Sequence, residues 1–117
     1  MFIGEYQHNL DEKGRLAIPA KFRGQLADGA VVTKGLDNCL SLFTTEGWEI
    51  EADRLMSLPL TQSKARAYAR FMLASAFPAE IDKQGRVNLP VTLRTYANIK
   101  GSSVVTGLGD HVEIWHL

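Results

Sequence analysis

Two arginines, Arg15 and Arg86, stand at the ends of five-residue segments of one design, Asp11-Glu12-Lys13-Gly14-Arg15 and Asp82-Lys83-Gln84-Gly85-Arg86. A guanidinium is a planar fork that can bond two phosphate oxygens, or O6 and N7 of guanine, while lysine offers a mobile point charge. Arg15 and Arg86 are therefore candidate readers of a nucleic acid, and Lys13 and Lys83 candidate phosphate anchors. The other residue types have a simpler explanation. Aspartate at the first position of a tight turn accepts backbone N–H groups ahead of it, and glycine at the fourth tolerates a left-handed conformation. Asp11, Gly14, Asp82 and Gly85 are the expected turn formers. A turn does not require arginine as the next residue, and here it follows twice. The competing account, in which each aspartate pairs with its arginine only to brace the turn, is compatible with recognition, because a carboxylate can orient an arginine toward its target.

The likeness extends well beyond the turns. Residues 11–23 return as residues 82–94 at a constant offset of 71, with Pro19/Pro90 and Arg23/Arg94 identical and Leu16/Val87, Ile18/Leu89 and Phe22/Leu93 apolar in both. Arg23 and Arg94 recur on short helices, where a structural ion pair or a helix-end charge competes with nucleic-acid contact; they are secondary candidates. Each copy reads as a leading strand, the turn, a short strand, a helix opened by proline, and two further strands. In the first copy the helix is expected from residue 19 to about 25 with Phe22 inward, and the later strands at 31–33 and 40–43 around a turn at 35–38. In the second copy, strands are expected at 104–106 and 112–115 around a turn at 107–110. Between the copies lie two helical candidates. Thr45 is the expected cap of the first, with Glu46 and Glu49 in its first turn, Trp48, Ala52, Leu55 and Met56 as its apolar stripe, and Pro59 limiting its far end. The second runs from about 61 to 76, with Ala65, Tyr68, Ala69, Met72, Leu73 and Ala76 on one side and Arg66 and Arg70 on the other. Lys64, Arg66 and Arg70 read as a solvated face. The chain thus divides into residues 5–47, a helical connection at 48–75, and residues 76–117. Units of this size would be marginal alone, so they are expected to share one core.

Lysine plus arginine and aspartate plus glutamate number 13 each, but their distribution is uneven. Residues 11–23 carry +2, residues 82–94 +2 and residues 60–79 +3, leaving −7 elsewhere. Local charge of this kind steers a polyanionic partner at short range even in a neutral protein. Catalysis finds little support. His8, His111 and His116 have no metal-ligand spacing, Cys39 lies in an apolar stretch, and no phosphate-binding glycine loop or nucleophile elbow is present. Asp11 and Asp82 could in principle share a proton as paired carboxylates, but their turns already use them. A single cysteine allows no internal disulfide and fits a reducing compartment. No apolar run approaches the ~20 residues that span a bilayer, and the N-terminus has no secretory pattern, so a cytoplasmic protein without cofactor or metal is expected.

Met1-Phe2-Ile3-Gly4-Glu5-Tyr6, Asp11-x-Lys13-Gly14-Arg15 with Pro19 and Arg23, and Asp82-x-x-Gly85-Arg86 with Pro90, Arg94, Tyr96 and Ala97 together resemble the signature blocks of the MraZ family, tandem-repeat relatives of the AbrB-like transcription factors. The resemblance covers essentially the whole chain. It implies an α+β, mainly-β fold: a swapped-hairpin barrel in which two SpoVT/AbrB-like repeats take the places of the two subunits of an AbrB-type dimer. It also implies sequence-specific binding of double-stranded DNA by loops 11–15 and 82–86, regulation of the bacterial division and cell-wall gene cluster through short direct promoter repeats, association with the nucleoid, and assembly into rings. Members of that family usually continue past the position of Leu117 with a helical tail, a point of departure that bears most on ring assembly. The alternative is a ring-forming protein-interaction scaffold in which the loops are only braced turns. RNA binding ranks third, since aromatic residues for stacking single strands are scarce near the loops.

Overall fold

The computed structural model describes residues 1–117. The first copy of the repeated segment forms β1 (Phe2–Asn9), β2 (Arg15–Ala17), α1 (Ala20–Leu26), β3 (Ala30–Lys34) and β4 (Leu40–Thr44). Helices α2 (Thr45–Met56) and α3 (Ser63–Ala74) lead to β5 (Phe77–Ala79), β6 (Arg86–Asn88), α4 (Val91–Ala97), β7 (Ser102–Gly109) and β8 (Val112–His116). The class is mixed α+β, with a mainly antiparallel sheet and four helices.

The strands pair across the duplication. The six-stranded sheet has the order β1-β7-β8-β4-β3-β5, and β2 and β6 form a separate antiparallel ladder. Strand β1 runs the length of β7, from Phe2 opposite Gly109 to Asn9 opposite Ser102, and β5 pairs with β3. The two hairpins meet where Leu40 of β4 faces Ile114 of β8. Each leading strand therefore finds its hydrogen-bonding partner in the other half of the chain. An unpaired buried strand edge is costly, so neither half completes its own sheet.

The same exchange builds the core. Leu16, Ile18, Phe22 and Leu26 from the first copy, and Val87, Leu89, Leu93 and Ala97 from the second, occupy matched positions and are all buried in one apolar cluster of 18 residues. Phe2 and Tyr6 of β1 close over Phe22 edge-to-face, with ring centroids 5.3 and 5.6 Å away. Alternation explains the register on the short strands: Leu16 and Val87 point inward, leaving the residues on either side of each partly or fully exposed.

Several local expectations shift. Pro19 and Pro90 precede their helices as caps rather than opening them; the Pro19 carbonyl accepts the Phe22 N–H at 2.8 Å. Thr44, not Thr45, caps α2, its Oγ1 accepting the Gly47 N–H at 2.9 Å. Of the apolar stripe expected on α2, Leu55 is buried, Trp48 and Ala52 are half-buried, and Met56 is exposed. The helix meets β4 through Trp48, whose ring centroid lies 5.6 Å from that of Phe43. Helix α3 is shorter than expected at both ends and is pinned at its C-terminus, where Thr33 Oγ1 donates to the Met72 carbonyl at 2.7 Å. The turn at 107–110 narrows to the residues between β7 and β8, because β1 holds β7 extended as far as Gly109.

Candidate nucleic-acid interface

In loop 11–15, Asp11 Oδ1 accepts the N–H groups of Lys13 and Arg15, both at 2.9 Å, and Oδ2 accepts Arg15 Nε at 2.7 Å. Loop 82–86 repeats this: Asp82 Oδ1 takes the Gln84 and Arg86 N–H groups at 2.9 Å, and Oδ2 takes Arg86 Nε at 2.9 Å. Gly14 and Gly85 have φ of 80° and 78°, the left-handed conformation that lets each chain turn back into its strand. These bonds favour the charged carboxylate. Led by the backbone N–H of Arg15 and Arg86 respectively, they hold Asp11 and Asp82 below the usual aspartate range. Two carboxylates each stabilised as anions are unsuited to sharing a proton, which removes the physical basis for acid/base work.

The β2–β6 ladder sets the loops side by side. Arg15 faces Asn88, Leu16 faces Val87 and Ala17 faces Arg86. Beyond the ladder, the Ile18 N–H donates to the Gly85 carbonyl and the Leu89 N–H to the Gly14 carbonyl, each at 2.9 Å. The crossing brings Arg86 Nη1 within 3.5 Å of Asp11 Oδ2, joining the two turns through one carboxylate. Both arginine side chains stay partly exposed, at 29% and 25%, and Lys13 and Lys83 are exposed. The two cationic forks therefore lie side by side, with Lys13 and Lys83 exposed in the same two turns.

Arg23 and Arg94 do a different job in this geometry. Arg23 Nε donates to the Ile18 carbonyl and Arg94 Nε to the Leu89 carbonyl, each at 2.8 Å. Each guanidinium lies over the other copy's turn glycine: a Cβ on Gly14 would sit 2.9 Å from Arg94 Cζ, and one on Gly85 would overlap Arg23. The glycines are thus needed for close approach as well as for their backbone angle. Sequence reasoning saw the recurrence of these arginines but not the crossing, since a constant offset of 71 does not say which copy a side chain will meet.

It also missed Gln84. Aligned through the offset, Gln84 stands where the first loop has Lys13, and Lys83 stands where it has Glu12. Gln84 Oε1 accepts a hydrogen bond from Arg86 Nη2. The signal was the replacement of lysine by a neutral hydrogen-bond acceptor at the third position of a turn whose Asp, Gly and Arg are matched.

Elsewhere the chemistry is quiet. Cys39, just ahead of β4, is buried and donates Sγ–H to the Leu36 carbonyl at 3.1 Å. Burial, with Glu113 and Asp37 nearby, pushes its thiol up to about 12. No cluster of three or more His, Cys, Asp or Glu side chains is arranged to hold a metal ion, and no helix is long and apolar enough to cross a membrane.

Comparison with known proteins points the same way. A family model described as "MraZ protein, putative antitoxin-like" matches residues 1–71 and 72–117. The chain is similar to the protein named transcriptional regulator MraZ of Ligilactobacillus salivarius, 52% identical over 115 residues that cover 98% of this chain and 80% of the relative. It is similar also to proteins of that name from Natranaerobius thermophilus, 48% identical with the same coverages, and Thermoanaerobacter pseudethanolicus, 50% identical.

Proposed function

The chain belongs to the MraZ family, and from that premise we propose that it is a transcriptional regulator that binds double-stranded DNA sequence-specifically through loops 11–15 and 82–86. Relatives named as transcriptional regulators support the class of function. The observation that carries the residue assignment is the pair of Asp-x-x-Gly-Arg loops on one surface, each arginine oriented by its own aspartate. Arg15 and Arg86 then contact base edges or the phosphates beside them, and Lys13 and Lys83 neutralise phosphates. Arg23 and Arg94 act mainly as braces on this reading, with any DNA contact secondary. As regulators of this kind need no bond-making chemistry, no cofactor enters.

The proposed fold type is a swapped-hairpin barrel in which residues 5–47 and 76–117 are SpoVT/AbrB-like units mimicking an AbrB-type dimer, with residues 48–75 connecting them. The exchange of leading strands supports that reading. The proposed target is the set of short direct repeats in the promoter of the bacterial division and cell-wall gene cluster, reached in the cytoplasm at the nucleoid. Copies assembled in a ring engage successive repeats, so that linked weak contacts gain avidity.

Binding of the natural protein, Arg15→Ala and Arg86→Ala to a promoter fragment and a scrambled fragment across a salt series tests this. The expected result is a preference for the promoter fragment, lost in Arg15→Ala, with log affinity falling by about 0.9 per log salt for each phosphate neutralised. Unchanged preference in both variants would overturn the loop assignment. The second reading, a ring-forming interaction scaffold, is favoured by the exposed Ile50, Met56 and Leu60 on and beside α2; nuclease-resistant pull-down partners with no DNA affinity at low salt would select it.

A further inference from the structure

The two loops are alike in backbone and unlike in what they leave free. Arg15 makes one side-chain bond, Nε to Asp11. Its terminal Nη1/Nη2 edge has no acceptor in the chain, so the fork that could take two phosphate oxygens or O6 and N7 of guanine is open. Arg86 is engaged at all three nitrogens: Nε with Asp82, Nη2 with Gln84 Oε1, and Nη1 facing Asp11 of the other loop. The cause is the third residue of each loop. Lysine at position 13 carries the same charge as Arg15 and has no acceptor to offer, whereas the glutamine at position 84 has an amide oxygen and reaches back to the guanidinium. Asp11 adds to the inequality, because it meets both arginines while Asp82 meets only its own.

We infer that Gln84 is a latch on Arg86, a positioning residue that competes with DNA for the Arg86 fork, so that loop 11–15 engages first and loop 82–86 engages only when the glutamine is displaced. This rests on the DNA-reading role proposed above for the loops. The ligand chemistry is a paired acceptor, either two phosphate oxygens or the guanine edge. The consequence is polarity: a pseudo-symmetric molecule meets an asymmetric half-site, with a fast, open contact on one side and a conditional one on the other. The third residue of each turn, with the reach of Asp11 to Arg86, sets which side is which.

Two experiments decide it. In the first, protein labelled at arginine nitrogen is titrated with inorganic phosphate and followed at the side-chain resonances. The Arg15 resonances should shift at a phosphate concentration several-fold below that needed for Arg86. Gln84→Ala should bring Arg86 toward the Arg15 response, and Lys13→Gln should delay Arg15 further than Lys13→Ala, which removes the same charge without supplying an acceptor. Arginines that respond together in the natural protein overturn the latch. In the second, affinities are measured for a duplex that the natural protein has selected from a random pool. Gln84→Ala should bind several-fold more tightly although it changes no charge, and Arg15→Lys should lose more preference than Arg86→Lys, since lysine cannot replace the fork. No tightening in Gln84→Ala, or equal losses in the two lysine variants, counts against the latch. A natural protein that selects no sequence defeats the DNA-reading proposal instead, and the phosphate titration still decides the order of the arginines.

Discussion

At the scale of the residue, the loops act through a few hydrogen bonds to two carboxylates. Because Asp11 and Asp82 are held below the usual aspartate range by these bonds, their contribution has a definite pH sense. It is fully present above the ordinary aspartate value of about 3.9 and is lost as pH falls through the lower value in the folded protein. Carboxyl carbon NMR should therefore show both midpoints below the ordinary aspartate value, and a midpoint at or above that value for either would contradict the bonding described. Asp11→Asn removes the carboxylate that meets both arginines, so it should disturb the resonances of Arg15 and Arg86 together, whereas Asp82→Asn disturbs Arg86 alone. Cys39 gives a contrasting case. A buried thiol pushed up to about 12 has almost no thiolate near neutrality. A thiol reagent at pH 8 should label it slowly in the folded protein and rapidly in denaturant; fast labelling of the folded chain would show that the region around β4 opens.

At the scale of the element, three close approaches make local demands that can be tested separately. Gly14 and Gly85 combine positive φ with an arginine packed over the α-carbon, so alanine at either is expected to destabilise by about 1–3 kcal/mol. Double substitution with the facing arginine, Gly14→Ala with Arg94→Ala, should recover part of that loss if the steric contact contributes. Gly107 presents another kind of limit: a Cβ there would lie 2.5 Å from the Ile3 amide nitrogen of β1. Gly107→Ala is expected to cost about 1–3 kcal/mol through overpacking and to speed hydrogen exchange along the β1–β7 ladder. Thr44→Ala removes the side-chain cap of α2 and should cost about 1 kcal/mol, without changing the exchange of amides in the loops.

At the scale of the whole molecule, the exchange of strands makes one cooperative unit from two similar segments. Phe22 packs with β1 on one side and within a cluster that includes Val87, Leu89 and Leu93. Phe22→Ala is expected to lose about 3–5 kcal/mol and to move the unfolding of both halves to lower denaturant together. Urea titration can follow this in single-tryptophan variants that retain Trp48 in α2 or Trp115 in β8. Separate transitions would indicate that the halves are independent. Much of this was legible beforehand: the duplication, the inward set Leu16, Ile18 and Phe22 with their counterparts, and the Asp-x-x-Gly turns all follow local rules of periodicity and turn chemistry. The exposure of Met56 at the end of the α2 stripe was not legible, because amphipathic spacing shows which residues could be buried together and not how far along the helix a surface is present to bury them.

The chain's own order of residues determined that two equivalent turns exist, that each places an arginine directly after a left-handed glycine, and that each arginine has an aspartate four residues earlier to orient it. These are short-range matters, settled by backbone angles and by hydrogen bonds within five residues. Tertiary structure decided which turns and braces meet: Arg23 lies over Gly85 and Arg94 over Gly14, β1 pairs with β7, and Asp11 reaches the arginine of the other loop. A repeat is by itself indifferent to whether its parts pair internally or with their counterparts. Only closing one shared core, with every leading strand hydrogen-bonded and both apolar sets buried at once, selects the crossed arrangement that puts the two arginines on a common surface.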